Sequence, residues 1–304
     1  MKRIMFAIVL LLVAATFSTV ALAEDEETAT AEKALKFKVG LKGFYGSWDF
    51  ENSEVWVKGV KGNYDMTSEV GPFGPFVELS FAKDHLGLSA QYLVGRFGGD
   101  YHVRNDRNEG WYETKEKGTL EVKREDIELL LRLTPFPRYI SLLFGYKWQK
   151  YYNFDFSGHG IWTEYDGGFD VPVGTHEYDM RHEERNRMHG FMYGLALESP
   201  TYSGFYAWAN GVLMPNLNLK YDSYMRYDYD DPTIENNVVS GCFSGRLKSF
   251  KTELGLAYAC EGTPLEFKVG WYLQRTKASE DKAKEAPIFN DNMTGAIFSV
   301  AYTF

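Results

Sequence analysis

Hydrophobic and polar residues alternate one by one along many short segments of this chain. In residues 265–274 every second position is apolar, from Leu265 to Leu273, with polar residues such as Glu266 and Lys268 between them. Successive side chains of a β-strand point to opposite faces of a sheet, so this segment has one apolar and one polar face. The pattern therefore predicts an amphipathic β-strand.

The same alternation recurs along the chain. It is found in residues 37–41, 77–81, 86–94, 126–133, 140–149, 191–198 and 253–258. The segment 205–214 is ambiguous, because Tyr206 and Trp208 fall on one face. Phe205 and Leu213 fall on the other. With the last segment of the chain included, the count predicts ten strands.

The connections between these segments alternate in length. Short connections rich in turn-forming residues lie at 84–85, 135–138, 199–204 and 261–264. Long polar stretches lie at roughly 51–74, 98–119, 153–186, 215–245 and 277–292. This layout is typical of transmembrane β-barrels, with short turns on one side and long loops on the other. A soluble β-sandwich or barrel is the alternative architecture, but it would not require such regular alternation.

The start of the chain predicts export. Lys2 and Arg3 precede an apolar run over residues 4–20, and Ala21-Leu22-Ala23 follows as a small-x-small cleavage pattern. An N-terminal membrane anchor is the alternative, but the run is short for a spanning helix of about 20 apolar residues. We expect a signal peptide over residues 1–23, a short periplasmic tail over 24–34 and a barrel over 35–304.

The last strand resembles the C-terminal strand of outer-membrane barrels, which commonly ends on an aromatic residue with apolar residues at every second position before it. Phe298, Val300, Tyr302 and Phe304 match that pattern. The resemblance implies an integral outer-membrane protein that the barrel-assembly machinery recognises through this strand. An even strand number would place both termini on the periplasmic side, and the tenth strand would close against the first near Phe37.

The composition agrees with a membrane location and argues against one class of partner. The chain has 22 Phe, 21 Tyr and 7 Trp, and the amphipathic Tyr and Trp side chains suit the two membrane–water interfaces. The formal net charge of −9 argues against a nucleic-acid partner, which would require basic patches. We expect a monomer surrounded by outer-membrane lipid and lipopolysaccharide, with hydrated acidic loops.

Charged residues of both signs fall on the predicted inner face of the barrel. They are Lys38, Lys42, Glu78, Asp126, Glu128, Arg132, Lys147, Glu253, Glu266 and Lys268. Buried charges require partners, and a barrel of about eight strands has an interior that side chains can fill. The sequence therefore predicts a packed salt-bridge network, with a small-solute pore as the alternative.

The sequence indicates neither a disulfide nor a metal or cofactor site. If residues 246–260 form one strand, Cys242 and Cys260 lie far beyond the Cα separation of about 7 Å that a disulfide tolerates. We expect two free thiols. His182-Glu183 begins like a His-Glu-x-x-His zinc motif, but Asn186 replaces the second histidine and no helical pattern supports the site. A solvated charged strand is the expected structure there.

Two acidic groups are candidates for catalysis. Asp100 and His102 lie in the predicted second long loop, and Asp228 and Asp230 lie in the fourth. An Asp beside a His can orient the imidazole as a general base. Hydrated acidic loops without catalytic function are the alternative.

The predicted strand and loop layout, the terminal Tyr302-Thr303-Phe304 and the Tyr193-Gly194-Leu195 segment resemble the omptins, ten-stranded surface proteases. The resemblance implies an Asp-x-Asp pair on the second outer loop and an Asp-x-His pair on the fourth. Here the types are reversed, because the second loop carries the histidine. Three functions follow: a structural or surface-interaction protein, an omptin-like endopeptidase, and a small-solute pore.

Overall fold

Ten antiparallel strands make up the fold. A computed structural model describes residues 35–52, 61–81, 84–105, 112–136, 139–165, 172–278 and 289–304. The strands are β1 (Leu35–Asn52), β2 (Lys61–Phe81), β3 (Leu86–Asn105), β4 (Tyr112–Phe136), β5 (Ile140–Tyr165), β6 (Pro172–Glu198), β7 (Phe205–Tyr229), β8 (Asn237–Ala259), β9 (Leu265–Ala278) and β10 (Phe289–Thr303). The predicted signal peptide (1–23) and tail (24–34) lie outside the described residues. Within those ranges, no helix is long and apolar enough to cross a membrane.

Each strand pairs with its neighbour in sequence, and β10 pairs with β1 to complete the ring. Leu41 is opposite Val300 across this junction, and the backbone N–H of Phe304 donates to the carbonyl oxygen of Phe37 at 2.7 Å. The Phe37 and Phe304 rings lie 5.7 Å apart. The predicted number of strands is confirmed, and so is the closure of the last strand near Phe37.

The outer surface carries a continuous apolar belt. Phe191, Leu256 and Val269 are 75%, 61% and 60% exposed, and large apolar side chains of the other strands lie beside them. A soluble monomer rarely exposes an apolar surface of this extent. A transmembrane barrel presents such a surface to lipid, so the belt identifies the membrane-spanning part of the wall.

The inner face is polar in the same part of the wall, and the predicted alternation is confirmed. The segment that sequence left ambiguous is now assigned: Trp208 and Val212 are buried inside the barrel, whereas Phe205 and Leu213 are exposed on the belt. Both faces of this segment carry large apolar residues because the lumen itself has an apolar patch here.

The two ends of the barrel differ. The end that carries Leu35 and Phe304, called the termini end below, has the predicted short turns, where Ser203, Gly204 and Gly262 adopt positive φ. At the opposite end, called the distal end, the strands extend much further than predicted. The loop predicted over residues 153–186, for example, consists mostly of β5 and β6. These extensions lie beyond the belt, where the outer face is polar as well, so the period-two pattern fades although the ladder continues.

Candidate functional site

The centre of the barrel is filled by buried polar side chains, called the lumen plug below. Its members are Trp48, Arg124, Asp126, Glu128, Lys147, Gln149, Tyr151, Lys251, Gln274 and Asp291. They come from β1, β4, β5, β8, β9 and β10, on both sides of the ring. Period-two geometry places each of them on the inner face of its strand. Contacts within the lumen plug therefore include several that run across the barrel.

Glu128 lies between two cations at the termini side of the lumen plug. The Lys147 ammonium donates to its Oε1 at 3.0 Å, and the Lys251 ammonium donates to its Oε2. The Gln91 amide donates to Oε2 as well, at 2.7 Å. Close by, Lys42 donates to both oxygens of Glu253, at 2.9 and 3.0 Å. These buried charges thus have the partners that burial requires.

A second layer is built around Gln274 on β9. Its Oε1 accepts from Lys147 at 3.0 Å and from Arg124 at 3.2 Å. The Arg124 guanidinium binds Asp126 with two nitrogens, at 3.0 and 2.9 Å. Because β4 and β9 are far apart around the ring, the Arg124–Gln274 contact spans the lumen.

Aromatic rings continue the lumen plug toward the distal end. The Trp48 ring lies 4.9 Å from Phe97 and 4.8 Å from Tyr151, and its indole N–H donates to Asp291 at 2.6 Å. Tyr151 donates to the other oxygen of Asp291, and Gln149 donates there at 3.2 Å. The carboxylate of Asp291 therefore ties β1 and β5 to β10.

A cavity of about 130 Å³ lies on the termini side of the lumen plug. Glu266 is a central acceptor in its wall, with Lys38 at 3.1 Å and the Tyr206 hydroxyl at 2.8 Å. Arg132 binds Glu198 at 3.2 Å and lies 3.7 Å from Glu78. The cavity is thus lined by paired charges together with apolar side chains.

The structure places all ten predicted inner-face charges inside the barrel, with partners of opposite charge. Sequence reasoning placed Gln274 on the inner face but missed Arg124, Lys251 and Asp291. Arg124 lies two positions before Asp126, and Lys251 two positions before Glu253. Extending the inner face of each strand by one alternation would have found both.

Aromatic residues line the inner wall of the distal end, on β5, β6 and β7. The ring of Tyr178 lies 5.5 Å from the rings of Tyr227 and Tyr229, and the ring of Trp162 lies 6.5 Å from that of Tyr229. The Tyr178 hydroxyl donates to Glu116 at 2.5 Å. Burial raises the pKa of the Glu116 carboxyl, although the hydrogen bond from Tyr178 acts in the opposite direction. This aromatic wall packs the strands together beyond the lipid.

Three of the four candidate catalytic residues lie on strands rather than on loops. Asp100 and His102 belong to β3, where His102 is opposite Lys117 of β4. Asp228 belongs to β7, and its carboxylate accepts from Arg226 at 2.9 Å. Asp230 lies just after β7, with its backbone N–H bound to Glu177. Three strands separate β3 from β7, and the side chain of His102 lies outside the described part of the structure.

The expected charged strand around His182 is partly wrong, because it is not solvated throughout. It forms part of β6, where Glu184 and Asn186 are buried in the lumen and alternate with exposed arginines. Within the described ranges, no group of three or more His, Cys, Asp or Glu side chains could hold a metal ion. Cys242 and Cys260 are free, as predicted.

Comparisons with known proteins support the fold. No family model matches the sequence, and no curated protein matches it. The chain is similar to the outer-membrane protease OmpT from Escherichia coli, with a TM-score of 0.61 over 92% of this chain and 99% of that one, at 13% identity. The transport unit of the autotransporter AIDA-I from Escherichia coli gives 0.31 over 96% and 97%, at 11% identity. A major outer membrane protein from Thermus thermophilus gives 0.29 over 89% and 100%, at 10% identity. The OmpT likeness shows that the two chains share an outer-membrane β-barrel fold.

Proposed function

We propose that this protein is an integral outer-membrane β-barrel whose lumen is closed by side chains and whose distal end serves a structural or surface-interaction role. Its termini end faces the periplasm. The observation that carries the proposal is the lumen plug, in which Glu128 of β4 binds Lys147 of the neighbouring strand β5 and Lys251 of β8 across the lumen. An ion crossing the lumen would have to break these contacts and leave buried charges unpaired, which is strongly unfavourable.

Planar-bilayer recording tests this closure against the alternative of a small-solute pore. Refolded protein should show no steady conductance. The variant Glu128→Ala removes the acceptor shared by Lys147 and Lys251 and should produce conductance events. The control Glu121→Ala changes an exposed acid and should stay silent. Steady conductance of the unmodified protein would replace the closed barrel with a constitutive pore.

A ring of cations on the outer surface supports the proposed orientation. The belt begins at the termini end, for example at Leu86 on β3. Ten residues further toward the distal end, six strands carry a basic residue that points outward. These residues are Arg96, Lys123, Lys150, Arg187, Lys248 and Arg275. Ten residues at about 3.3 Å each, tilted about 40°, span about 25 Å, the height of the apolar band of such barrels. The ring therefore lies at the distal boundary of the belt, at the depth of lipid headgroups.

Phosphate-bearing lipopolysaccharide in the outer leaflet is the partner that this ring fits. On β8 and β9, Lys248 lies directly opposite Lys277, with Arg275 two positions away. Like charges directly opposite are destabilising unless an anion lies between them. None of these three side chains has an ion pair within the described part of the chain. Anionic headgroups attract such clusters, and the attraction weakens with salt.

Lipid retention through purification tests the partner. The double variant Lys248→Gln and Arg275→Gln should carry less lipopolysaccharide than the unmodified protein, measured by mass spectrometry of the detergent-solubilised barrel. The control Lys36→Gln removes an exposed cation at the termini end, outside the ring, and should change nothing. Equal retention in all three proteins would exclude the ring as a lipopolysaccharide contact.

An omptin-like surface endopeptidase is the second candidate function, and the fold likeness to OmpT favours it over other enzymes. It would require Asp100 and His102 to act with Asp228 and Asp230 across the barrel mouth. Cleavage of basic peptides by refolded protein, abolished in His102→Ala, would support the enzyme. Absence of cleavage, or cleavage unchanged by the substitution, would leave the structural role.

A further inference from the structure

The cavity on the termini side of the lumen plug has the size of a small ring. Its volume of about 130 Å³ is close to that of an engineered cavity of about 150 Å³ that binds benzene. Leu143, Val212 and Ile297 supply an apolar wall, and all three are buried. Glu128 and Lys251 line its inner limit, where the lumen plug begins. An apolar ring therefore has a complementary surface here.

One buried polar atom of a cavity-lining residue has no partner. Trp208 lines the cavity and is only 7% exposed, and its indole Nε1 has no hydrogen-bond acceptor among the described residues. Of the buried side-chain N and O atoms without a partner in that part of the chain, this is the one whose residue lines the cavity. A buried donor without an acceptor is unfavourable, and a ligand that supplies the acceptor removes that penalty.

Lys268 places an ammonium group near the Trp208 ring. Its ammonium lies 5.8 Å from the centre of the Trp208 ring and 5.4 Å from that of Tyr206. Its ion pair with Glu266 is long, at 3.4 Å. Glu266 is already occupied by Lys38 at 3.1 Å and by the Tyr206 hydroxyl at 2.8 Å. An ammonium has three N–H donors, so Lys268 can serve a further acceptor.

We propose that the cavity binds a small organic carboxylate, of about the size of benzoate, that enters from the termini end. The carboxylate accepts hydrogen bonds from Trp208 and Lys268, and the hydrocarbon part lies against Val212 and Ile297. A neutral ring would satisfy the apolar wall alone. An inorganic anion would satisfy the donors alone. The juxtaposition of both selects a ligand with a charged and an apolar end.

Nuclear magnetic resonance of the refolded, ¹⁵N-Trp-labelled protein in micelles measures ligand binding through the indole N–H resonance of Trp208. The indole resonance of Trp208 is identified by its loss in Trp208→Phe, which keeps an aromatic ring. Added benzoate should shift this resonance saturably at millimolar concentration or below, whereas benzyl alcohol should have at least tenfold weaker effect because it carries no charge. Trp271, which faces lipid on β9, is the internal control and should not shift.

The variant Lys268→Met tests the second donor. It should weaken benzoate binding at least tenfold, measured as the shift of the Trp208 resonance from the ligand-free position of the variant itself. The control Lys220→Met removes an exposed cation of β7, the strand that carries Trp208, outside the cavity and should leave binding unchanged. No saturable shift with benzoate, or equal shifts with benzyl alcohol, would mean that the cavity holds water or apolar molecules only, and would overturn the proposal. The readout does not depend on conductance, so its failure and that of the closed barrel are distinguishable.

Discussion

The wall inside the apolar belt and the wall of the distal end are built from the same ladder but stabilised differently. Inside the belt, apolar residues such as Val269 face lipid, and the lumen is held by charge pairs such as Lys147–Glu128. At the distal end, the outer face is polar and the inner face is aromatic around Tyr178. The medium outside the barrel, lipid or water, therefore determines which face of the strand carries the apolar residues.

The largest loss of stability is expected from Glu128→Ala, in the belt region. The substitution leaves Lys147 and Lys251 buried without their shared carboxylate, and removal of one partner of a buried ion pair costs about 3–5 kcal/mol. Urea unfolding of the refolded barrel in detergent measures the loss. Glu121→Ala, at an exposed pair with Arg96, should cost less than about 1 kcal/mol. Equal effects would contradict the view that the belt region depends on its lumen contacts.

Deletion of Phe304 should impair assembly of the belt region. The residue contributes a backbone hydrogen bond to Phe37 and a ring contact with it at the β1–β10 junction. We expect the yield of membrane-inserted protein to fall several-fold, measured by the heat-dependent gel shift of outer-membrane fractions. Full yield of the truncated chain would show that this end is not needed for closure or recognition.

A smaller and more local effect is expected from Gly160→Val at the distal end. A Cβ atom at Gly160 would lie 2.3 Å from the Tyr178 ring, so the ring has to move. Overpacking of this kind costs about 1–3 kcal/mol. Near-ultraviolet circular dichroism should report the displaced aromatic rings. Gly211→Val is the matched control, because a Cβ there meets no atom within 4 Å.

The smallest effect is expected from the titration of Glu116. Burial raises the pKa of this carboxyl above its ordinary value, so the folded state holds the proton at pH values where the unfolded state has lost it. Stability should therefore decline as pH rises through the window that begins near the ordinary pKa. Glu116→Gln should remove this dependence in urea unfolding series. A decline unchanged by the substitution would assign it to another group.

Sequence predicted the belt region well, because its two faces meet different media. The strand at residues 265–274 alternates completely, and its predicted faces match the structure. The lumen network was also predictable, since any charge on the inner face needs a partner. Its cross-lumen pairing, such as Arg124 with Gln274, was not, because that contact joins positions 150 residues apart and depends on how the ring closes.

The candidate site was less predictable than the fold. Asp100 and Asp228 were placed on loops because the distal extensions lack a lipid-facing side and read as polar connections. The structure assigns both to strands, with Asp228 bound by Arg226. In the sequence, Trp208 was one apolar residue in a segment with large apolar residues on both faces. Neither its orphan indole nitrogen nor the neighbouring Lys268 ammonium can be inferred without the closed ring.

The junction of β1 with β10 also has a kinetic consequence. The Trp48–Asp291 hydrogen bond joins residues 243 positions apart, and the neighbouring ladder pairs the beginning of the barrel with its end. Contacts of such sequence separation form late, because closing a long loop is slow. The edge of β1 therefore stays unpaired until β10 has formed, and an unpaired strand edge promotes aggregation. A chaperone that covers the edge of β1 until β10 pairs with it would therefore lower the risk of aggregation.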